Sequence, residues 1–249
     1  MNKKTIFVTG ATSGIGLKIT QVCIEKGYTV YATGRNQAAL NTLNKMGVKT
    51  IQADLRIISD MKRVVSELPR IDVAILNAGI GIFNNAFELS DDNIEDMIDV
   101  NVRAPIHLAK QIVPKMIEQN SGHLIFISSQ AGKVPTRKAS VYAATKHALS
   151  GFIDGLRLEV APYNLKVTGI YPGPIDTPFL QKADATNAYR TSIKRFLLTP
   201  DEVANALVKT IEKPVRAVNI PRIMGITSKL YAVAPTIVEK LGSSFFNKK

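Results

Sequence analysis

Tryptophan is absent from the 249 residues, and cysteine occurs once, at Cys23. A single thiol excludes an internal disulfide, so a reducing, cytoplasmic setting is expected. Histidine is scarce as well. His107, His123 and His147 are scattered without metal-ligand spacing, and no metal is expected. No apolar run approaches the roughly 18 residues of a membrane span. Met1-Asn2-Lys3-Lys4 leads straight into a strand-like run, without the apolar core or cleavage site of a secretory signal. Repeats and low-complexity linkers are missing too. Acids are few, with 20 Asp and Glu against 32 Lys and Arg, a net charge of +12. Such a surplus suits an acidic small molecule, nucleic acid or anionic lipid, and equally a basic, well-solvated surface. No basic-aromatic cluster or reader motif accompanies the charge, so no nucleic-acid partner is expected.

The chain is 45% apolar, enough for one packed domain spanning residues 1–249. Short β-rich runs at 5–8, 28–33, 48–53, 72–76, 123–128, 166–171 and 216–220 alternate with helical patterns. Ser59, Ser90 and Thr199 stand where helix caps are expected, the last with Pro200 and Glu202 in a capping-box arrangement. The helix opened by Ser90 is expected to include Asn101, and helices are expected over 104–118 and 140–161. Strands that read as apolar runs, separated by helices, predict an α/β fold: one doubly wound parallel sheet, Rossmann-like, with helices on both faces.

Small or polar clusters close nearly every strand at its carboxyl end: Thr9-Gly10, Gly34-Arg35, Asp54, Asn77-Ala78-Gly79, Ser128-Ser129 and Pro172-Gly173. Ligands of open α/β sheets bind on that edge, so the clusters describe one extended site. The first is glycine-rich. Gly10, Gly14 and Gly16 sit between a strand and a helix, where backbone N–H groups and the positive end of the helix dipole suit a phosphate. A tight turn of this kind also occurs without a ligand. An acid is missing again at the end of the second strand, where a carboxylate would bind a ribose 2′-hydroxyl. Arg35 stands there instead, and a guanidinium matches a 2′-phosphate bidentately. The alternative reading of Arg35 is an ordinary surface arginine.

Tyr142 and Lys146 are four residues apart within a helical pattern, so both side chains lie on one helix face. Ser129 closes the preceding strand. Ser128 is its neighbour, but successive strand residues face opposite ways and the spacing favours Ser129.

With these residues in place, the chain resembles the short-chain dehydrogenase/reductase family over about residues 5–221. The resemblance rests on Gly10-Ala11-Thr12-Ser13-Gly14-Ile15-Gly16, Asn77-Ala78-Gly79, Asn101, Ser129, Tyr142 with Lys146, and Pro172-Gly173 followed by Thr177. Two departures stand out: Leu76 precedes Asn77 where the family usually has a second Asn, and the frequent Asp-Gly-Gly ending is absent. The resemblance implies NADP(H) as cofactor, held by the glycine turn with Thr12, Ser13 and Ile15, by Arg35, Asp54 and Leu55, by Asn77, Ala78 and Gly79, and by Pro172, Gly173, Ile175 and Thr177, with Tyr142 and Lys146 reaching it as well. It implies Tyr142 as the proton donor in carbonyl reduction, Lys146 as the cation that lowers its pKa, Ser129 as a donor to the carbonyl oxygen, and Asn101 as the holder of a relay water. For Asp54, loop capping is an equal alternative to a place beside adenine. A small-molecule carbonyl or alcohol substrate follows, apolar or amphipathic, as does a homodimer or homotetramer with the 104–118 and 140–161 helices at one interface. The competing readings are an NAD-linked alcohol dehydrogenase and a catalytically silent dinucleotide-binding redox sensor.

In the family, the stretch 177–198 forms a lid over the substrate. Here Phe179, Leu180, Phe196, Leu197 and Leu198 suit an apolar wall, and Lys182, Arg190, Lys194 and Arg195, with Lys133, Arg137 and Lys138 from the loop after Ser129, suit an anion or plain solvation. The variable segment 222–249 is basic, and from Lys209 onward the chain carries eight Lys or Arg against two acids. Its Leu230, Ala234, Ile237, Val238 and Leu241 form a helical stripe, broken at Pro235 and followed by Phe245 and Phe246. A membrane-surface segment is one reading; packing on the domain or across a dimer interface is the one expected.

Overall fold

The computed structural model describes residues 3–184 and 188–242. Residues 185–187 of the expected lid, and Phe245, Phe246, Lys248 and Lys249, lie outside the described residues. The elements run β1 (Thr5–Thr9), α1 (Gly14–Glu25), β2 (Thr29–Gly34), α2 (Gln37–Lys45), β3 (Lys49–Gln52), α3 (Ile58–Glu67), β4 (Val73–Leu76), α4 (Asp91–Ile98), α5 (Ala104–Glu118), β5 (Gly122–Ile127), α6 (Ser140–Val160), β6 (Leu165–Pro172), α7 (Pro178–Ala183), α8 (Ala188–Ser192), α9 (Pro200–Glu212), β7 (Ala217–Ile220), α10 (Arg222–Val233) and α11 (Pro235–Leu241).

Seven strands form one parallel sheet in the order β3-β2-β1-β4-β5-β6-β7, the Rossmann-like arrangement expected. The chain winds outward from β1 in one direction and then from β4 in the other, so the edge between β1 and β4 is where the winding reverses and a crevice opens. Pleating explains why the strands read as unbroken apolar runs. Ile6 and Val8 bury against α1, α2 and α9 with Ile19, Cys23, Leu43 and Leu207. Phe7, one residue apart, buries on the opposite face against α3, α5 and α6 with Met61, Leu108, Ile112 and Ile153. Both faces are dry, so neither phase of the strand tolerates polarity.

Helix starts are only partly where the sequence places them. Ser90 and Thr199 cap as expected, Thr199 in a reciprocal box with Glu202. Ser59 does not: α3 begins at Ile58 and its cap position is Ile57, with no side-chain bond. Asp60, in the first turn, reaches back to the preceding loop, where its carboxylate accepts from the Asp54 N–H at 2.8 Å. The helix expected to run through Asn101 is interrupted by a π turn at Asp99–Arg103 that joins α4 to α5. A π turn inserts one residue and so re-aims the side chain it carries.

Residues after β7 pack on the domain with one face, where Met224, Thr227, Tyr231 and Val238 line the cleft at the strand ends. Ser228 is the only buried residue of α10, and α11 buries none. Ile223, Ile226, Leu230, Val233, Ile237 and Leu241 are 57–86% exposed. Their 3-4 spacing puts them on one narrow, exposed stripe.

Candidate active site

The strand ends converge on one cleft of about 1160 Å³. Of the residues proposed from the sequence, Gly10, Thr12, Ser13, Gly14, Ile15, Gly16, Arg35, Asp54, Leu55, Asn77, Ala78, Gly79, Ser129, Tyr142, Lys146, Pro172, Gly173, Ile175 and Thr177 all line it. Asn101 stands behind the wall, fully buried.

The glycine turn is built by close approach. Gly10 takes φ +65, and a Cβ on it would stand 2.8 Å from the Ala78 Cα. A Cβ on Gly16 would lie 2.1 Å from the Gly10 carbonyl oxygen, so no other residue fits and the start of α1 packs directly under the turn. Asn77 binds this turn to β4, its amide donating to the Thr9 carbonyl at 2.9 Å, while Thr9 Oγ1 accepts from the Asn77 and Ala78 N–H groups. Thr177 covers the turn from the other side; its Cβ lies 3.5 Å from the space above Gly14.

At the end of β2, Arg35 stands exposed, its guanidinium 3.9 Å from Asp54. Asp54 is committed elsewhere. Its carboxylate takes the Arg56 guanidinium at 2.7 Å and the Arg56 N–H at 3.0 Å. Arg56 is the first cause holding its pKa below the ordinary carboxylate value. Asp54 therefore caps its loop while lining the cleft. Arg56, which also reaches Asp96 at 2.8 Å, has no signal in the sequence, because its partners come from separate elements.

The chemical end lies where β5 meets α6. Tyr142 and Lys146 share one face of α6, and the Lys146 Nζ is 5.9 Å from the Tyr142 ring centroid. Lys146 is buried and donates to the last carbonyl of β5, Ile127 O, at 3.1 Å. Ser129 Oγ accepts from the Ala131 N–H at 3.1 Å, which leaves its own proton to be donated toward Tyr142, whose pKa the Ser129 hydroxyl lowers. Ser128 points the other way, into α6, where its hydroxyl meets the Lys146 carbonyl and Ser150. Asn101 clamps the loop after β4. Its Oδ1 accepts from the Ile80 N–H at 2.9 Å, and its Nδ2 donates to the Ile80 carbonyl at 2.8 Å and to Thr145 Oγ1 at 3.0 Å.

Burial acts on both members of the pair. It pushes the Tyr142 phenol up to about 12 and the Lys146 ammonium down to about 8. Desolvation favours the neutral form of each, and on the tyrosine the Ser129 hydroxyl works the opposite way.

Phe83 is a feature that sequence reasoning passed over. Its ring sits 5.7 Å from Tyr142, 6.5 Å from Phe179 and 5.5 Å from Tyr189. Phe179 closes the group, 5.8 Å from Tyr142. These four rings wall the chamber beside Tyr142. The stretch expected to form the lid is closed at its neck by a β-bridge between Ile175 and Leu198. Its cations divide. Lys182 and Arg195 line the cleft, whereas Arg190 pairs with Asp176 at 2.7 Å. Lys133, expected at the mouth, is tied away: its Nζ donates to Asn219 at 2.7 Å and lies 3.7 Å over the Tyr171 ring.

The family model for short chain dehydrogenases matches residues 4–188. The chain belongs to the short-chain dehydrogenase family. An uncharacterized oxidoreductase of Staphylococcus aureus is 34% identical over 235 residues, 90% of this chain and 96% of that one. Among solved structures, the closed form of serine dehydrogenase complexed with NADP+ matches with a TM-score of 0.81 at 31% identity, covering 86% of this chain and 93% of that one. An actinorhodin polyketide ketoreductase variant with NADPH matches at 0.79 and 27% identity, over 88% and 96%. This member of the short-chain dehydrogenases is thus an oxidoreductase, and these two structural relatives carry NADP+ and NADPH. Among its described residues, no helix is long and apolar enough to cross a membrane and no group of His, Cys, Asp and Glu is placed to hold a metal.

Proposed function

We propose that this short-chain dehydrogenase is an NADPH-dependent carbonyl reductase acting on an apolar or amphipathic ketone, aldehyde or 3-oxo compound. The observation that carries this is the convergence of the Ser129 hydroxyl, the Tyr142 phenol and Lys146 at one end of a cleft whose other end is the glycine turn. The cradle fits a dinucleotide: Gly10 and Gly16 leave no Cβ between a pyrophosphate and the start of α1. Arg35 is exposed at the β2 end, and the nearest carboxylate, Asp54, is taken by Arg56, which favours a 2′-phosphate over a free ribose hydroxyl.

When bound, the nicotinamide supplies hydride to the carbonyl carbon. The chain's residues then handle the proton and the oxygen. Tyr142, kept neutral by burial, gives its proton to the carbonyl oxygen, so carbonyl plus hydride plus proton becomes alcohol. Ser129 turns its hydroxyl proton from Tyr142 to that oxygen and stabilises the charge developing on it. Lys146, still mostly protonated below its pKa of about 8, holds positive charge beside the phenolate left behind. Asn101 positions the Ile80 backbone, and a second lone pair on its Oδ1 suits a relay water toward Lys146.

We further read the chain as one domain over residues 1–249, with the lid over 177–198 and a variable segment over 222–249. The buried Cys23 thiol fits a cytoplasmic setting, and α5 and α6 suit the contact of a homodimer or homotetramer. The test is NADPH oxidation across a panel of carbonyl compounds, with Tyr142→Phe as control. Turnover that survives this substitution would remove the mechanism.

A further inference from the structure

The far end of the cleft carries charge of one sign. Its charged lining residues are Arg35 and Asp54 at the adenosine end, Lys146 at the chemical centre, and Lys182 and Arg195 on the lid. No carboxylate faces the two lid cations from the lining. The acids nearby are engaged: Asp176 with Arg190 at 2.7 Å, Asp184 with the Tyr189 N–H at 2.8 Å, and Glu239 with the Tyr231 hydroxyl at 2.8 Å. Among the described residues neither Lys182 nor Arg195 makes an ion pair. Both side chains are exposed, so the lid keeps two solvated cations over a chamber that is otherwise aromatic and apolar.

Helix geometry fixes the separation. Phe179, against Tyr142 at 5.8 Å, and Lys182 are three residues apart on α7, so they share a face about 4.5 Å apart along the axis. With the reach of a lysine side chain added, an anion on Lys182 lies roughly 8–12 Å from the oxygen that Ser129 and Tyr142 address. Such a separation suits an anion several bonds away from the reacting carbon. The wall between, Phe83, Phe179 and Tyr189, suits an apolar chain.

Resting on the carbonyl-reductase reading, we propose that the substrate is an amphipathic oxo compound whose reacting carbonyl is separated by an apolar chain from a terminal anionic group, held by Lys182 and Arg195. In the reaction the anion is a spectator. Hydride from NADPH adds to the carbonyl carbon, the Tyr142 proton adds to oxygen, and an oxo acid leaves as the hydroxy acid.

Matched probes test this. Binding is measured first by calorimetry, with nonanoate, methyl nonanoate and octyl phosphate against the full chain. Nonanoate or octyl phosphate is expected to bind roughly tenfold more tightly than the ester, and the stronger of the two identifies the anion as carboxylate or phosphate. Lys182→Ala/Arg195→Ala erases that preference, and Lys182→Glu/Arg195→Glu inverts it. Turnover follows, with 9-oxononanoate against its methyl ester. The acid is expected to have the higher kcat/KM, by a difference in KM that the double alanine variant removes. Equal binding of acid, phosphate and ester, or a preference that survives the double substitution, overturns the proposal. Reduction of the ester without any preference for the acid overturns it while leaving the carbonyl-reductase reading intact. Anion binding lost in the double variant, with no turnover of any oxo compound, supports the anion site and rejects the reaction.

Discussion

Asn101 and Lys146 face one another across Gly79. A Cβ on that glycine would lie 3.2 Å from Asn101 Oδ1 and 3.4 Å from Lys146 Nζ. A methyl group there would crowd Asn101 and touch Lys146. Gly79→Ala is expected to displace both side chains by a few tenths of an ångström and to lower kcat by roughly tenfold or more. NADPH affinity, measured by fluorescence titration, is expected to change much less. An alanine variant with wild-type kcat would show that the two residues do not act through this gap.

Tyr142 and Lys146 predict a one-sided pH profile for reduction. The phenol stays protonated up to about 12, whereas the ammonium is lost near 8. The kcat for reduction is expected to be flat from pH 6 to 7 and to fall as pH rises through about 8. Lys146→Arg, whose charge persists, is expected to remove that fall even if the rate is lower throughout. A wild-type profile flat to pH 10 would detach the rate from Lys146.

Arg35 is expected to set cofactor choice. It is exposed and makes one long contact, to Asp54 at 3.9 Å, so its removal has little structural consequence. In Arg35→Ala, KM for NADPH should rise by about 10- to 100-fold, with KM for NADH nearly unchanged. The ratio of the two kcat/KM values is the measurement, and selectivity that persists would assign the 2′-phosphate to other residues.

His123 is expected to make the fold acid-sensitive. Thr168 gives its hydroxyl proton to the Val215 carbonyl at 2.6 Å, so His123 Nε2, 2.8 Å from Thr168 Oγ1, must be the donor. Its Nδ1 is buried without a partner, and burial lowers the imidazole pKa to about 4. The unfolded chain takes up that proton near 6.5 and the folded chain does not, so stability is lost as pH falls from 6.5 to about 4. The loss reaches at most about 3 kcal/mol. Urea unfolding at pH 7 and pH 4.5 should show a smaller difference in His123→Gln than in the wild type.

The exposed stripe on α10 and α11 is expected not to bind membranes. It is one residue wide per turn, from Ile223 through Leu230 to Leu241, narrower than the broad apolar face of an interfacial helix. The protein should remain at the bottom of a flotation gradient with phosphatidylserine vesicles. Flotation that is lost on truncation after Gly225 would reverse this reading.

Local chemistry made much of the protein readable. The apolar strand runs gave the parallel sheet because both faces of every central strand are buried, as Ile6 and Phe7 show. The glycine turn, Ser129 and the i, i+4 pair were readable because each is set by neighbours within one or two elements. Thr199 was readable as a cap because its box closes over three residues, whereas Ser59 was misplaced because α3 begins one residue before it, with Ile57 at the cap position.

What only the tertiary structure decided involves partners distant in the chain. Arg56 reaches Asp96 across forty positions, Phe83 reaches Tyr142 across more than fifty, and Asn219 draws Lys133 out of the cleft mouth. The protonation of Tyr142 and Lys146 belongs here too. The sequence supplies a phenol and an ammonium on one helix face. Burial, which depends on every element packed around α6, pushes both groups toward their neutral forms, because removing water disfavours a charge.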